Sequence, residues 1–538
     1  MEEKTKRVLG VFTLAMINVA AIASLRAIPS MAEYGFAAVF FLALVALIFF
    51  IPTALVSAEL ATGWPRRGGV YAWVKEAFGQ RFGFLAIWLQ WIQNVIWYPT
   101  VLSFTAATLA FVITPALATN PLYMVGVIFV VYWGATLLNF RGMKTSGWFS
   151  SFCVMAGTII PGAIIILLGI LWLLGGNPSQ IPLTVDALVP DMSSLSNIVL
   201  VAGMLLAMAG MEMSAVHARE VKDPQKDYPK AIFTAVAIVL AVFILGSLSV
   251  AIVVPQAKIS LVAGIMQAFT DFFTAYGIPW AVPLLAILIA VGAVGQVSTW
   301  IAGPSKGLFT VAKDGSLPPF FQKANKNGVQ VNILLVQGCI VTLLALVFLL
   351  MPSVSSSYWI LTALTAQLYL IMYAMLFLAA IKLRYSQPGV KRPYTVPGGN
   401  LGMWIIAGIG LLAALAGILL GFIPPSQLET GNAEFYYAFL GTGILVMVGA
   451  PLVLHHIRKP SWAKGASAPP PAAAKAGKPA GIQAGQAARP AAKPEAKPAK
   501  AAVKSKPRAK ARARAKAKAP KAKQAAKPAA KAGKAKKG

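Results

Sequence analysis

Residues 203–229 begin as an apolar helix that carries one carboxylate, Glu212, and they end in a loop dense with charge. An Ala-Gly pair interrupts this stretch near its middle, and a glycine inside a hydrophobic helix weakens the hydrogen-bond ladder. An acid at membrane depth needs a partner or a proton. The pattern predicts a broken membrane helix in which Glu212 stabilises the break, although a packing glycine beside one satisfied polar residue is the alternative. The candidate substrate-binding residues at this break are Met208, Ala209, Gly210 and Met211.

Four further side chains could contribute to the same site. Tyr369 and Tyr373 are four residues apart and share a helical face, from which their hydroxyl groups could gate a pocket; packing or interfacial tyrosines are the alternative. Arg26 would suit an acidic substrate if it points inward, whereas a cation near a span end often reaches the surface instead. Gln296 brings a neutral amide to another apolar segment, and an amide cannot titrate.

The sequence carries no enzyme signature. HExxH, P-loop, GxSxG and paired CxxC motifs do not occur, and the two cysteines lie in apolar runs. We therefore expect no catalytic residues, no metal site and no cofactor.

The elements that position these residues are membrane helices. Of the 538 residues, 58% are hydrophobic and 12% are charged, which excludes an ordinary soluble protein. We predict an all-α integral membrane protein with two interfacial segments, 69–83 and 259–276, and twelve transmembrane helices. The predicted spans are 9–28, 36–58, 84–113, 122–138, 149–174, 195–217, 230–254, 280–311, 332–351, 358–382, 402–422 and 435–456.

The basic residues predict the orientation of these spans. With the N-terminus inside, the inner segments hold 21 Lys and Arg residues, whereas the outer side holds only Arg26 and Lys258. The positive-inside rule then places both termini in the cytoplasm. We expect the protein in a membrane, specifically a bacterial inner (plasma) membrane, while the sequence leaves the oligomeric state open.

The chain divides into a twelve-span membrane body, residues 1–457, and a tail, residues 458–538. The tail holds 24 of the 47 basic residues but one of the 16 acidic residues. Its Lys, Ala and Pro composition cannot form a core, so we predict a disordered cytoplasmic tail. Anionic lipid or nucleic acid is its expected partner.

The body also has the pattern of an internal repeat. Spans 1 and 6 are each interrupted near the middle, and spans 5 and 10 each close a block of five. A block with an odd number of spans ends on the opposite side of the membrane from where it began, so the next block has the inverted orientation. This arrangement predicts inverted five-helix repeats, spans 1–5 and 6–10, plus two extra helices.

Several motifs occur in register along residues 8–457. The segment after the Glu212 break, MEMSAVHAREVKDPQKDYP, resembles the corresponding motif of the amino acid–polyamine–organocation (APC) superfamily. Within this superfamily the chain is similar to the glutamate/GABA antiporter family. The motifs that carry this similarity are FIPTALVSAELAT, GGVYAWVKEAFG, GIMQAFT, WIAGPSKGLF and KANKNGVQV.

The resemblance implies a second broken helix in span 1. Similar transporters have glycines at this point, where the present chain has Val19, Ala20, Ala21, Ile22 and Ala23. Small residues let backbone groups approach the carboxylate of an amino acid substrate; a tightly packed Ala-rich helix is the alternative.

The chain also departs from the resembling family at four positions. Gln296 replaces a glutamate, Met208 a tyrosine and Arg26 an uncharged aromatic residue. Ser151 stands where the family tends to have a lysine, and this favours a sodium site slightly. Such a site would take Ser151, Ser298 and Thr299.

We therefore expect a secondary amino acid transporter that works by alternating access, most simply an antiporter of glutamate/GABA type. A proton- or sodium-coupled amino acid symporter is the nearest alternative. A membrane sensor or scaffold that presents the basic tail, and an intramembrane enzyme, are more distant alternatives.

Overall fold

The computed structural model describes residues 10–65, 68–141, 153, 155–214 and 221–463, and these residues form helices without a β-strand. An all-α membrane fold is thereby confirmed. The helices are α1 Val11–Ile22, α2 Ile28–Ala32, α3 Gly35–Gly63, α4 Val70–Phe78, α5 Gln80–Ile113, α6 Pro121–Asn139, α7 Ala156–Leu174, α8 Val201–Ala207, α9 Met211–Ser214, α10 Pro224–Ala251, α11 Gly264–Ala275, α12 Ala281–Val311, α13 Val331–Ala345, α14 Val354–Ser386, α15 Gly399–Gly421 and α16 Ala433–His456.

Eleven segments of the described residues are long and apolar enough to cross a membrane. They correspond to the second to twelfth predicted spans, so eleven of the twelve predicted spans are found by length and composition. The first predicted span is divided into α1 and α2, and neither piece alone reaches the length that a bilayer requires. The count of twelve and the inverted repeat stay predictions.

Both segments predicted as interfacial contain short helices. Segment 69–83 contains α4, which has 9 residues, and segment 259–276 contains α11, which has 12 residues. Each has a buried apolar face, and each is too short to span a bilayer. The charged residues of these helices are Lys75 and Asp271, which are exposed, and Glu76, which is half-buried.

Two glycines bring α7 and α12 into backbone contact. A Cβ atom added to Gly157 would lie 2.3 Å from the Cα atom of Gly292. No side chain fits in that space, so these positions require glycine. Gly292 precedes Gln296 by about one helical turn. The contact therefore fixes the position and rotation of α12 near Gln296, and with them the direction of the Gln296 side chain.

One buried ion-pair cluster joins α3 to the end of α14. The carboxylate of Glu59 accepts hydrogen bonds from Nε and Nη2 of Arg384, each at 2.6 Å, and from the backbone N–H of Val396 at 2.7 Å. Nε of Arg392 lies 3.5 Å from the same carboxylate. Because Glu59 is only 2% exposed, the loss of one partner would leave a buried charge uncompensated.

Three predictions fall partly outside the described residues. The basic tail lies outside from residue 464 onward, so its disorder, its partner and the boundary at residue 458 stay predictions. The orientation of the termini also stays a prediction. Ser151 lies outside the described residues as well.

Candidate substrate-binding site

Two helix breaks lie side by side in the body. Helix α1 ends at Ile22, where the backbone N–H of Ala23 donates to the carbonyl of Val19 at 2.8 Å, and the chain then turns extended at Ser24. Helix α8 ends at Ala207, and α9 begins four residues later. A Cβ atom on Gly210 would lie 3.7 Å from Cγ1 of Ile22, so the two breaks are in contact.

Both predicted breaks are therefore present, but the first lies further along the chain than expected. We predicted unwinding from Val19 to Ala23, whereas the helix continues through Ile22. Alanine is the strongest helix former, and the chain has no glycine here, so the ladder persists until Ala23. The second break follows the prediction, because Gly210 adopts φ +124°, a conformation that side chains other than glycine rarely take.

A cavity of about 60 Å³ lies beside the two breaks. Its walls come from the α1–α2 connection, α5, the end of α8, α12 and α14. The lining residues are Ile22, Ser24, Arg26, Ala27, Gln93, Asn94, Trp97, Leu206, Ala207, Ala209, Gln296, Trp300 and Tyr369.

Arg26 is the charged residue in this wall, and it points inward. It is 5% exposed, its Nη1 donates to Tyr358 Oη at 2.7 Å and lies 3.5 Å from Thr100 Oγ1, and its guanidinium carbon lies 5.8 Å from the centre of the Trp97 ring. Among the described residues no carboxylate forms an ion pair with it, and its Nε has no hydrogen-bond partner. A buried cation in this state is strongly attractive to an anion.

Two adjacent amides on α5 supply the complementary polarity. Nδ2 of Asn94 donates to the carbonyl of Gln90 at 2.8 Å, and Nε2 of Gln93 lies 3.2 Å from the same carbonyl. Since these contacts use the amide nitrogens, the amide oxygens stay available as acceptors. The cavity thus combines a guanidinium donor with oxygen acceptors that suit an ammonium group.

Glu212 lies next to the cavity in a network of its own. Tyr369 and Tyr373 each donate a short hydrogen bond to its carboxylate, and Nε2 of Gln90 donates to it at 3.2 Å. Tyr373 Oη also accepts from the backbone N–H of Gly210 at 2.7 Å. The network therefore joins the α8–α9 break to α5 and α14, and Tyr369 alone of the two tyrosines reaches the cavity.

The structure brings five of the thirteen predicted binding residues into the cavity wall: Ile22, Arg26, Ala209, Gln296 and Tyr369. Seven of the others lie at the two breaks, Tyr373 contacts the second break from α14, and all eight are outside this wall. They are Val19, Ala23, Met208, Gly210, Met211 and Tyr373, together with Ala20 and Ala21, whose backbone belongs to α1 and whose side chains are outside the described residues. Substrate binding by any of the thirteen stays a prediction.

Several wall residues were not predicted, and the amides Gln93 and Asn94 and the aromatic residues Trp97 and Trp300 are among them. Two neighbouring amides in the apolar run LQWIQNVIW are a signal that could have identified α5. Trp300 follows Gln296 by four residues, one helical turn, and so lies on the same face.

The groups considered for sodium have other contacts. Ser298 Oγ accepts from Nδ2 of Asn139 at 3.1 Å, and Thr299 Oγ1 donates to the carbonyl of Gly295 at 3.0 Å. With Ser151 outside the described residues, the sodium site stays a prediction. Among the described residues no cluster of His, Cys, Asp and Glu could hold a metal ion.

Comparisons with known proteins agree with this architecture. Residues 9–447 match the sequence model of a family described as amino acid permease. An uncharacterized transporter from Legionella pneumophila is 48% identical over 447 residues, covering 83% of this chain and 96% of the relative. Two glutamate/gamma-aminobutyrate antiporters from Lactococcus lactis are also similar. One is 34% identical, and the match covers 80% of this chain and 86% of the relative. The other is 33% identical, and the match covers 85% of this chain and 91% of the relative.

Proposed function

This chain belongs to the amino acid permease family of the APC superfamily, and from that premise we propose that it exchanges amino acids across the membrane, with an acidic amino acid as one substrate. That it is an integral membrane protein and a transporter of amino acids, not an enzyme, follows from the family and from its relatives. The exchange mode and the acidic substrate are our proposals.

The observation that carries the substrate proposal is Arg26. Its guanidinium group lines the cavity and has no acidic partner among the described residues. A carboxylate on the substrate side chain would supply the missing charge through a charge-assisted hydrogen bond, and the unpartnered Nε offers one donor for it. Two relatives that are named glutamate/gamma-aminobutyrate antiporters handle compounds with such a carboxylate.

The backbone at the two breaks suits the other end of the substrate. The last carbonyls of a helix have no partner within it, and this holds for the carbonyls that follow Val19 in α1 and Leu206 in α8. Such carbonyls can accept from an α-ammonium group of the substrate. The amide oxygens of Gln93 and Asn94 add acceptors nearby.

The same arrangement favours exchange over net flux. Alternating access requires the cavity to close on both sides at one stage, and closure removes Arg26, which is 5% exposed in this structure, from the remaining water. An empty closed cavity would keep a buried, uncompensated cation at a cost of several kcal/mol, whereas a bound carboxylate offsets that cost. The return step is therefore faster when a second substrate is bound.

Counterflow in proteoliposomes tests this proposal. Vesicles preloaded with unlabelled glutamate should accumulate labelled glutamate, aspartate or γ-aminobutyrate from the bath, and glutamine should accumulate much less. The assay is repeated without sodium and with collapsed proton and sodium gradients. Accumulation that requires either gradient would support the symporter instead, and equal accumulation of glutamate and glutamine would refute the acidic substrate.

A further inference from the structure

A second and larger cavity lies away from the candidate substrate site. It measures about 320 Å³ and is formed where the first turn of α5 meets the last turn of α16. Five residues line it: Arg81, Leu452, Val453, His455 and His456. Three of these side chains are basic, two are aliphatic, and none is acidic.

The basic side chains lack neutralising partners. Arg81 forms no ion pair with any acid of the described residues. Nδ1 of His455 is buried without a hydrogen-bond partner in the described part of the chain. The positive charges of Arg81 and Arg458 both act on His455. Since the start of α5 adds the positive end of a 34-residue helix, the cavity attracts an anion.

The basic residues of α16 have a structural explanation that does not extend to the whole cavity. Histidines in the last turn of a helix complement the negative end of its dipole. This accounts for His455 and His456, but it accounts neither for Arg81, which lies on the other helix, nor for a cavity between them.

The surroundings of the cavity are apolar and outward-facing. Val453 in its wall, together with Ile457 and Phe82 beside it, is about half exposed on the surface of the body. Helix α16 is one of the least buried of the membrane-spanning helices, so this surface faces the bilayer. A ligand here would meet cationic donors and a hydrocarbon-facing wall together. That pairing matches a phospholipid with its anionic phosphate at the helix ends and its acyl chain along α16.

We propose that this cavity binds the phosphate group of an anionic phospholipid such as phosphatidylglycerol. Arg81 and His456, which are exposed, contact the phosphate from two sides, and His455 supplies a hydrogen bond from the wall. Leu452 and Val453 contact the first carbons of an acyl chain. The site does not depend on which amino acid the protein transports.

Photocrosslinking of lipid to the full-length chain tests the proposal. The protein is reconstituted into phosphatidylcholine vesicles with a small fraction of phosphatidylglycerol that carries a diazirine in its acyl chain, and labelled peptides are mapped by mass spectrometry. Mapping by peptide separates labelling at the cavity from labelling by lipid that the basic tail attracts. Labelling should concentrate on the peptides that contain Arg81 and residues 452–457.

Matched variants then identify the cause of the labelling. Arg81→Gln should reduce labelling of these peptides about fivefold, because an arginine near an anionic surface contributes about 1 kcal/mol, which corresponds to about a fivefold change in affinity. His456→Gln, which removes a second basic side chain from the cavity, should also reduce the labelling. Lys326→Gln, which removes an exposed cation from a loop away from the cavity, should leave it unchanged. Phosphatidylcholine with the same diazirine should label weakly.

Three results would overturn the proposal. Equal labelling by the two lipids would mean that the helices carry ordinary surrounding lipid. Unchanged labelling in both Arg81→Gln and His456→Gln would remove the basic residues from the account. Loss of labelling on addition of inorganic phosphate would identify a site for free phosphate in place of a lipid.

Discussion

Replacing Arg26 by glutamine should weaken acidic substrates selectively. Glutamine keeps an amide donor for Tyr358 Oη and much of the side-chain volume, but it removes the positive charge from the cavity wall. A hydrogen bond to a charged group contributes about 1.5–3 kcal/mol, which corresponds to about a 10- to 150-fold loss in kcat/KM for glutamate. The kcat/KM for free glutamine as the substrate should change little, because this amino acid matches glutamate in shape but carries no side-chain charge.

The ratio of glutamate to glutamine transport is the quantity to measure, because it cancels differences in protein amount and folding. Both substrates are assayed by counterflow in the same vesicle preparations. Tyr358→Phe is the matched control, since it removes the hydroxyl that binds Arg26 while the cation stays. This control should lower both substrates alike. If Arg26→Gln also lowers both substrates by the same factor, Arg26 is structural and the proposed charge recognition is wrong.

Three further predictions concern other residues of the body. Gln296→Glu should introduce an acid-side dependence of transport on pH, because it adds a titratable group to the cavity wall; identical pH profiles of variant and parent would refute this. Glu59→Gln should lower the free energy of unfolding by about 3–5 kcal/mol, because Arg384 would keep a buried charge without its partner; thermal unfolding in detergent measures this, and an unchanged midpoint would contradict it. Burial raises the pKa of Glu33 to about 8 from an ordinary value of 4.5. The folded state then binds the proton more tightly, so the parent loses stability as the pH rises from about 4.5 to about 8. Glu33→Gln should remove that loss, and parallel pH–stability curves would show that Glu33 does not cause it.

The helix content and the two breaks could be predicted from the sequence because they depend on local properties. Long apolar runs must be helical in a bilayer, where no water satisfies the backbone. Gly210 marks the second break because it frees the backbone to take a positive φ. The first break has no glycine, so its position depends on the packing around Ala23 and Ser24, and the sequence predicted it a few residues too early.

The cavity wall was harder to predict because it depends on how each helix is rotated. The apolar run of α5 gives little sign of which face turns inward, so Gln93 and Asn94 were missed. Tyr369 and Tyr373 share a face, as predicted, but both contact Glu212. Some contacts join residues that are distant in sequence. Glu59 and Arg384 are 325 positions apart, so their pairing follows only from the assembled bundle.

The dependence of efflux on external substrate tests the central proposal most directly. Proteoliposomes are loaded with labelled glutamate and diluted into buffer with or without an external amino acid, with all ion gradients collapsed. Because an empty cavity would close on an uncompensated Arg26, efflux should be slow in plain buffer and fast when glutamate or γ-aminobutyrate is present outside. Equally fast efflux into both buffers would contradict exchange.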